Sequence, residues 1–253
     1  MRGVGNAPRP GASPALCLMP DTSFLSILGL GFLLGAKHAL DADHVAAVST
    51  LLADRPAWRT SGLIGFCWGF GHTATLLLVG LLVITFKVTI SEPVAQGLEV
   101  GVGLMLIFLG GSLAATLVRE RWHVHVHQHE GSAHVHLHSH QLQRDHGHEH
   151  WLPSSLRPVL VGMVHGLAGS AALMLLVLAA VRSVWEGVVY ILVFGVGSIV
   201  GMVVLGMLIS VPLVLSASWG HRAQVAVQGL ASLGSIGLGL TMVARIALGS
   251  PSF

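Results

Sequence analysis

Six apolar stretches alternate with short polar segments along the chain, and each stretch is long enough to cross a bilayer as a helix. A transmembrane helix needs about 20 apolar residues, and charged residues, Pro or Trp bound most of these stretches. They cover residues 24–52, 61–86, 94–118, 158–181, 187–215 and 224–248. The pattern predicts an all-α integral membrane protein with about six transmembrane helices.

The two halves of the chain resemble each other weakly. Three matches occur in the same order, at offsets of 127, 126 and 132 residues: GAKHAL (35–40) with GMVHGL (162–167), GFGHTA (69–74) with GVGSIV (195–200), and QGLEVGVG (96–103) with QGLASLGS (228–235). Each half holds an odd number of predicted spans, so a duplication would place the halves in opposite orientations. We therefore predict two inverted three-helix repeats.

The prediction divides the chain into four segments. They are a disordered N-terminal tail at 1–22, a first repeat at 23–118, a His-rich loop at 119–157 and a second repeat at 158–250.

Composition supports a membrane protein and excludes several other classes. The 253 residues are 53% hydrophobic and only 9% charged, whereas soluble domains carry about 25% charged residues. The net charge of +2 comes without a basic stripe, so we expect no nucleic-acid partner. Cys17 and Cys67 are far apart and form no CxxC motif, which argues against a disulfide framework.

The distribution of Lys and Arg predicts the topology. Seven basic residues lie on the side of the His-rich loop and five on the side of the N-terminus. Because cytoplasmic loops carry an excess of Lys and Arg, we expect the His-rich loop inside the cell and the N-terminus outside. The expected location is a bacterial inner membrane.

A polar heptapeptide, HALDADH (38–44), interrupts the first apolar stretch. Ionisable side chains at bilayer depth are costly and are by default functional candidates. At about 100° per residue, a regular helix places His38, Asp41 and His44 on one face and leaves Asp43 off it. We therefore expect the helix to kink or unwind here so that both aspartates converge. The alternative interpretation is a buried polar network that only fixes helix packing.

Two further histidines, His72 and His165, lie within other predicted spans. Imidazole and carboxylate together suit divalent nickel, cobalt, copper or zinc. The sequence therefore predicts an intramembrane metal site, for which the candidate ligands are His38, Asp41, Asp43, His44, His72 and His165.

The motifs resemble those of the nickel/cobalt transporter family. H-x4-D-H (38–44) is similar to the family signature, GFGHTATLLL (69–78) to its second segment, and HGLAGSAAL (165–173) to the related UreH-type membrane proteins. The resemblance implies secondary transport of Ni²⁺ or Co²⁺, with His38, Asp43, His44 and His72 matching metal-recognition residues. The chain departs from the family in lacking a carboxylate at 165–180 and in having six predicted spans rather than eight.

The loop between the halves holds eleven of the sixteen histidines and is predicted to bind metal as an auxiliary site. They are His123, His125, His127, His129, His134, His136, His138, His140, His146, His148 and His150. Two arms with alternating His flank EGSA (130–133), so one hypothesis is a metal-ordered hairpin around a four-residue turn. It pairs His123 with His140, His125 with His138, His127 with His136 and His129 with His134; the other interpretation is a disordered metal sponge.

The predicted function is that of a permease for divalent transition-metal ions. Ni²⁺ or Co²⁺ is expected as the transported substrate, with no permanently bound cofactor. The alternatives are a zinc transporter and a membrane accessory protein that delivers nickel to enzyme maturation proteins. HExxH is absent, so we expect no enzyme. No P-loop is present, so coupling would come from membrane potential, protons or a separate energising subunit.

Overall fold

A computed structural model of the protein describes residues 22–53, 57–88, 90–121, 124–129, 132–137, 156–180 and 183–249. The predicted N-terminal tail therefore lies outside the described residues as far as residue 21.

Helices cover all six apolar stretches, and the first stretch is divided into two helices. The elements in chain order are α1 (Thr22–His38), α2 (Ala42–Ala53), α3 (Trp58–Phe86), α4 (Glu92–Arg121), β1 (Val124–His129), β2 (Ser132–Leu137), α5 (Leu156–Ala180), α6 (Val184–Ser218) and α7 (His221–Ala247).

The expected break in the first stretch is confirmed. The axes of α1 and α2 differ by 54°, and backbone hydrogen bonds from Leu40 to Lys37 and from Asp41 to His38 close the turn between them. Basic groups lie in the last turn of α1 and an acidic group, Asp43, in the first turn of α2. The basic groups stabilise the C-terminal end of α1, where the helix macrodipole is negative. Asp43 stabilises the N-terminal end of α2, where the macrodipole is positive.

Four helices in the described part of the chain, α3, α4, α6 and α7, are long and apolar enough to cross a membrane. The bent pair α1–α2 passes the same test together and makes up to five. Over Leu156–Gly169, the part of α5 whose side chains are described, the apolar helix is shorter than a span. The sixth span therefore stays a prediction.

The helices pack closely through small residues, as membrane helices do. α3 packs against α5 and α6, α1 against α6, and α4 against α7. The hydroxyl groups of Ser232 and Ser235 on α7 donate to the carbonyl oxygens of Gly110 and Leu106 on α4, at 2.8 and 2.9 Å. Apolar side chains such as Leu230 cover much of the exposed surface, which suits a lipid environment.

The His-rich loop contains a two-stranded antiparallel hairpin, but the predicted register is wrong. β1 ends at His129 and β2 begins at Ser132, so the connection has two residues instead of the four in EGSA. His125 pairs with His136 and His127 with His134, while His129 faces Ser132. Two-residue connections are the commonest hairpin loops because their twist matches that of the strands. Compared with the predicted four-residue turn, the shorter connection shifts the partner of each residue by two positions along the chain.

Candidate metal centre

Three histidines from three helices converge where the first stretch breaks. His38 ends α1, His44 lies in the first turn of α2, and His72 lies on α3. Their ring centroids are 4.7 Å apart for His38 and His44, 5.1 Å for His38 and His72, and 5.4 Å for His44 and His72. One ligand nitrogen from each ring lies within 4.8 Å of the others, so the three imidazoles could hold one metal ion.

Burial and missing partners distinguish two of these imidazoles from ordinary core histidines. His44 and His72 are 2% and 0% exposed. The Nε2 atom of His44 and both ring nitrogens of His72 have no hydrogen-bond partner in the described structure. A buried unpaired polar group costs free energy, and an ion would satisfy the Nε2 of His44 and one of the two ring nitrogens of His72.

The two aspartates each contact one of the histidines. The Nδ1–H of His38 donates to Asp41 Oδ2 at 2.7 Å, and the Nδ1–H of His44 donates to Asp43 Oδ1 at 3.0 Å. Asp43 Oδ1 also accepts the backbone N–H of His44 at 2.9 Å. Asp41, Asp43 and His44 form a second group that could hold a metal ion.

His38, Asp41 and His44, which a regular helix would place on one face, lie at the break between α1 and α2. In the structure Asp41 lies in the turn between α1 and α2, where its side chain is 51% exposed. Asp43, which a regular helix leaves off that face, lies against the buried His44 instead. This arrangement follows from the expected break, and His38 still contacts both Asp41 and His44.

His165 reaches the same cluster from α5. Its ring centroid lies 5.0 Å from that of His44, and its Nε2 lies 3.9 Å from Asp43 Oδ2. Its Nδ1 lies 3.2 Å from the carbonyl oxygen of Val161. His165 belongs to neither three-residue group, although all six predicted residues lie in one neighbourhood.

Three contact residues have no place in the sequence prediction. Trp68 is buried and stacks on His44 at 5.3 Å between centroids, with an interplanar angle of 27°. Phe194 on α6 lies 5.7 Å from the ring of His38. A Cβ built on Gly169 would lie 3.6 Å from His38 Nε2. Trp68 precedes His72 by four residues, which is one helical turn. This spacing is the feature of the sequence that could have predicted Trp68 beside the histidines.

The loop histidines divide into two groups. His125, His127, His129, His134 and His136 lie on the strands, where only the backbone is described. The other six lie outside the described residues: His123, His138, His140, His146, His148 and His150.

The comparison that decides the family covers most of the chain. The family model described as NicO, high-affinity nickel-transport protein, matches residues 24–219. The chain belongs to this family. As a member of this nickel-transporter family, it is a membrane transport protein and not an enzyme.

Individual relatives agree with this placement. The chain is 40% identical over 217 residues to the urease accessory protein UreH of Bacillus sp. (strain TB-90), which covers 85% of this chain and 90% of that protein. It is 27% identical over 188 residues to the chloroplast protein FOR GROWTH AND FERTILITY 1 of Arabidopsis thaliana, covering 72% of this chain and 48% of that protein.

The high-affinity nickel-transport protein NixA of Helicobacter pylori shares 29% identity over 68 residues, covering 26% of this chain and 20% of that protein. No solved structure matches the chain. The predicted resemblance to nickel transporters of the UreH type is confirmed.

Proposed function

We propose that this NicO chain is a secondary permease that carries Ni²⁺, and also Co²⁺, through the site formed by His38, His44 and His72 with Asp41, Asp43 and His165. One observation carries the proposal: three imidazoles, two of them buried with ring nitrogens that lack a hydrogen-bond partner, converge at the broken helix of an apolar bundle. Packing alone does not require unpaired ring nitrogens at this depth.

The ligand chemistry suits the proposed substrates. Nickel and cobalt bind well to imidazole, and soft thiolate ligands are lacking among the site residues. The discontinuous α1–α2 pair resembles the broken helices that bind ions in other secondary transporters. Selectivity for Ni²⁺ over Co²⁺ would come from the spacing of the rings, since both ions accept the same donors.

We further propose that the two halves are inverted repeats related across this site, and paired contacts support the idea. His38 of the first half contacts Phe194 of the second, and His165 of the second half contacts Trp68 of the first. The positions correspond at the offsets of 127 and 126 residues found in the sequence. Each half thus places an aromatic ring against the histidine of the other.

Close backbone contacts follow the same exchange. A Cβ on Gly35 would collide with the carbonyl oxygen of Phe194, and one on Gly162 with that of Trp68. A second pair of glycines makes the same kind of reciprocal contact, since Gly71 lies against the backbone of Val159 and Gly197 against the backbone of Phe32. Reciprocal contacts of this kind are what a pseudo-twofold axis produces, and a site between inverted repeats suits alternating access.

The remaining parts of the proposal concern the membrane and the loop. We place the protein in a bacterial plasma membrane with the His-rich loop in the cytoplasm, from the excess of basic residues on that side. The loop would buffer metal beside the pore without being part of the translocation site. Membrane potential, protons or a separate energising subunit would supply the driving force.

Isotope flux into proteoliposomes tests the proposed function. The purified full chain should take up ⁶³Ni²⁺, unlabelled Co²⁺ should compete, and His72→Ala should reduce uptake to the level of empty liposomes because a buried ligand is lost. His221→Ala, at the start of α7 and outside the site, is the matched control and should transport normally. Normal uptake by His72→Ala would refute the proposed site, and stronger competition by Zn²⁺ would favour a zinc transporter.

A second candidate function is the delivery of nickel to enzyme maturation proteins. The protein would then bind these maturation proteins directly. It is favoured by the relative with 40% identity, which is named as a urease accessory protein. A chain that binds Ni²⁺ tightly but shows no flux in liposomes would support delivery over transport.

A further inference from the structure

Carboxylate contacts divide the three clustered histidines into two kinds. His38 and His44 each donate Nδ1–H to an aspartate, Asp41 and Asp43 respectively. His72 has no partner for either ring nitrogen among the described residues. Two imidazoles are therefore fixed in orientation, and the third is held only by packing.

A carboxylate that accepts Nδ1–H also fixes the tautomer. A neutral imidazole has one N–H and one lone pair, so donation from Nδ1 leaves the lone pair on Nε2. In His44 this atom is buried and without a partner. Metal-binding histidines commonly donate their other N–H to a carboxylate in this way, which orients the ring and raises its basicity.

The charges of the two aspartates also suit a role beside the ion. Three neutral imidazoles leave the charge of a divalent ion uncompensated, and burying such a charge is costly. Two carboxylates one ring away supply two negative charges without binding the ion. Neutral ligands alone would then contact the ion, which favours exchange during transport.

We propose that Asp41 and Asp43 are positioning residues that act on the ion through His38 and His44, and that His72 is a ligand without such an anchor. The inference rests on the proposed function, because it assigns roles within the same nickel site. The competing arrangement places the ion directly on Asp41, Asp43 and His44, a group that the geometry also allows.

Cysteine substitution separates the two arrangements, because a thiolate bound to Co²⁺ produces intense sulfur-to-metal charge-transfer absorption in the near ultraviolet. Co²⁺ is added to the purified full chain in detergent. We expect His72→Cys to show the band, and Asp41→Cys and Asp43→Cys to lack it. The natural Cys17 and Cys67 are present in every variant, so the unsubstituted chain gives the baseline. A band from either Asp41→Cys or Asp43→Cys would overturn the proposal.

Affinity provides the second measurement, made by equilibrium dialysis with Co²⁺. Loss of an outer carboxylate partner typically lowers metal affinity by roughly 10–100-fold, so Asp41→Asn and Asp43→Asn should each weaken binding to this extent. Glu92→Gln, an exposed carboxylate in the first turn of α4, is the control and should bind normally. Unchanged affinity in Asp41→Asn would contradict a positioning role.

Measuring Co²⁺ binding instead of flux distinguishes failure of the proposed metal site from failure of the proposed roles of its residues. Failure of the unsubstituted chain to bind Co²⁺ would refute the proposed metal site itself. Binding with a thiolate band from an aspartate position would leave that site intact and refute only the division of roles. If Asp43→Asn fails to fold, because Asp43 also begins α2, the half-exposed Asp41 still decides the question.

Discussion

At the scale of single residues, the absence of a side chain at Gly169 leaves space beside the proposed metal site. A Cβ there would lie 3.6 Å from His38 Nε2 and 4.0 Å from His72 Cε1. These are ordinary contact distances, so alanine fits, but the methyl groups of valine would extend into the space between the two rings. Gly169 therefore keeps the face of His38 that points at the proposed ion uncovered.

We predict that Gly169→Val weakens Co²⁺ binding about tenfold or more, equivalent to at least ~1.4 kcal/mol, while the protein remains folded. The reason is steric exclusion from the ion position, and equilibrium dialysis with thermal melting in detergent measures both effects. Gly111→Val is the matched control, since Gly111 has nothing within 4 Å of its Cβ position. Equal affinity in both variants would show that Gly169 does not border the ion.

The ionisable residues of this site were predictable from sequence, whereas its apolar walls were not. His38, Asp43, His44, His72 and His165 stand out because charge and polarity are costly inside a membrane. A glycine such as Gly169 gives no comparable signal in a chain with 32 glycines. The contact of His38 with Asp41 has the i,i+3 spacing of a helix, whereas the contact of Asp43 with the adjacent His44 does not follow from helical periodicity.

At the scale of helices, hydrophobic runs predicted where the elements lie because each run must cover a bilayer thickness. The ends shift by a few residues, as at α6, which begins at Val184 instead of 187. The packing partners of the helices are not encoded in hydropathy, since lipid and protein contacts are equally apolar. Glycine positions carry part of that information, through the close contacts that they permit.

We predict that Gly35→Ala and Gly162→Ala destabilise the protein to a similar extent, by about 1–3 kcal/mol each. In both variants the new methyl group would collide with a backbone carbonyl, of Phe194 or of Trp68. The backbone of a packed helix cannot move aside as a flexible side chain can. Thermal or denaturant unfolding in detergent measures the change.

The matched control for these glycines is Gly111→Ala on the open face of α4. It should be neutral or slightly stabilising, because alanine favours a helix more than glycine does. Stability loss in only one of the two variants would argue against reciprocal packing of the two halves.

At the scale of the whole molecule, the histidine loop and the intramembrane site are separate parts of the chain. The loop lies between the halves, after α4 and before α5, and its histidines outnumber those of the site. Alternating sequence predicted strands there, yet it could not fix the register, because shifting by two residues keeps histidine opposite histidine at most positions. Turn length decided the register instead.

We predict that deletion of residues 123–150 leaves measurable Ni²⁺ uptake, while His38→Ala abolishes it. Loop histidines can raise the local metal concentration, but the path through the bilayer requires ligands at depth, where water cannot replace them. Proteoliposome flux over a range of Ni²⁺ concentrations measures the difference, and the deletion should reduce uptake mainly when Ni²⁺ is scarce. A loop of equal length with Ser in place of His controls for the shortened connection. Abolished flux in the deletion, together with normal flux in His38→Ala, would move the translocation site from the helices to the loop.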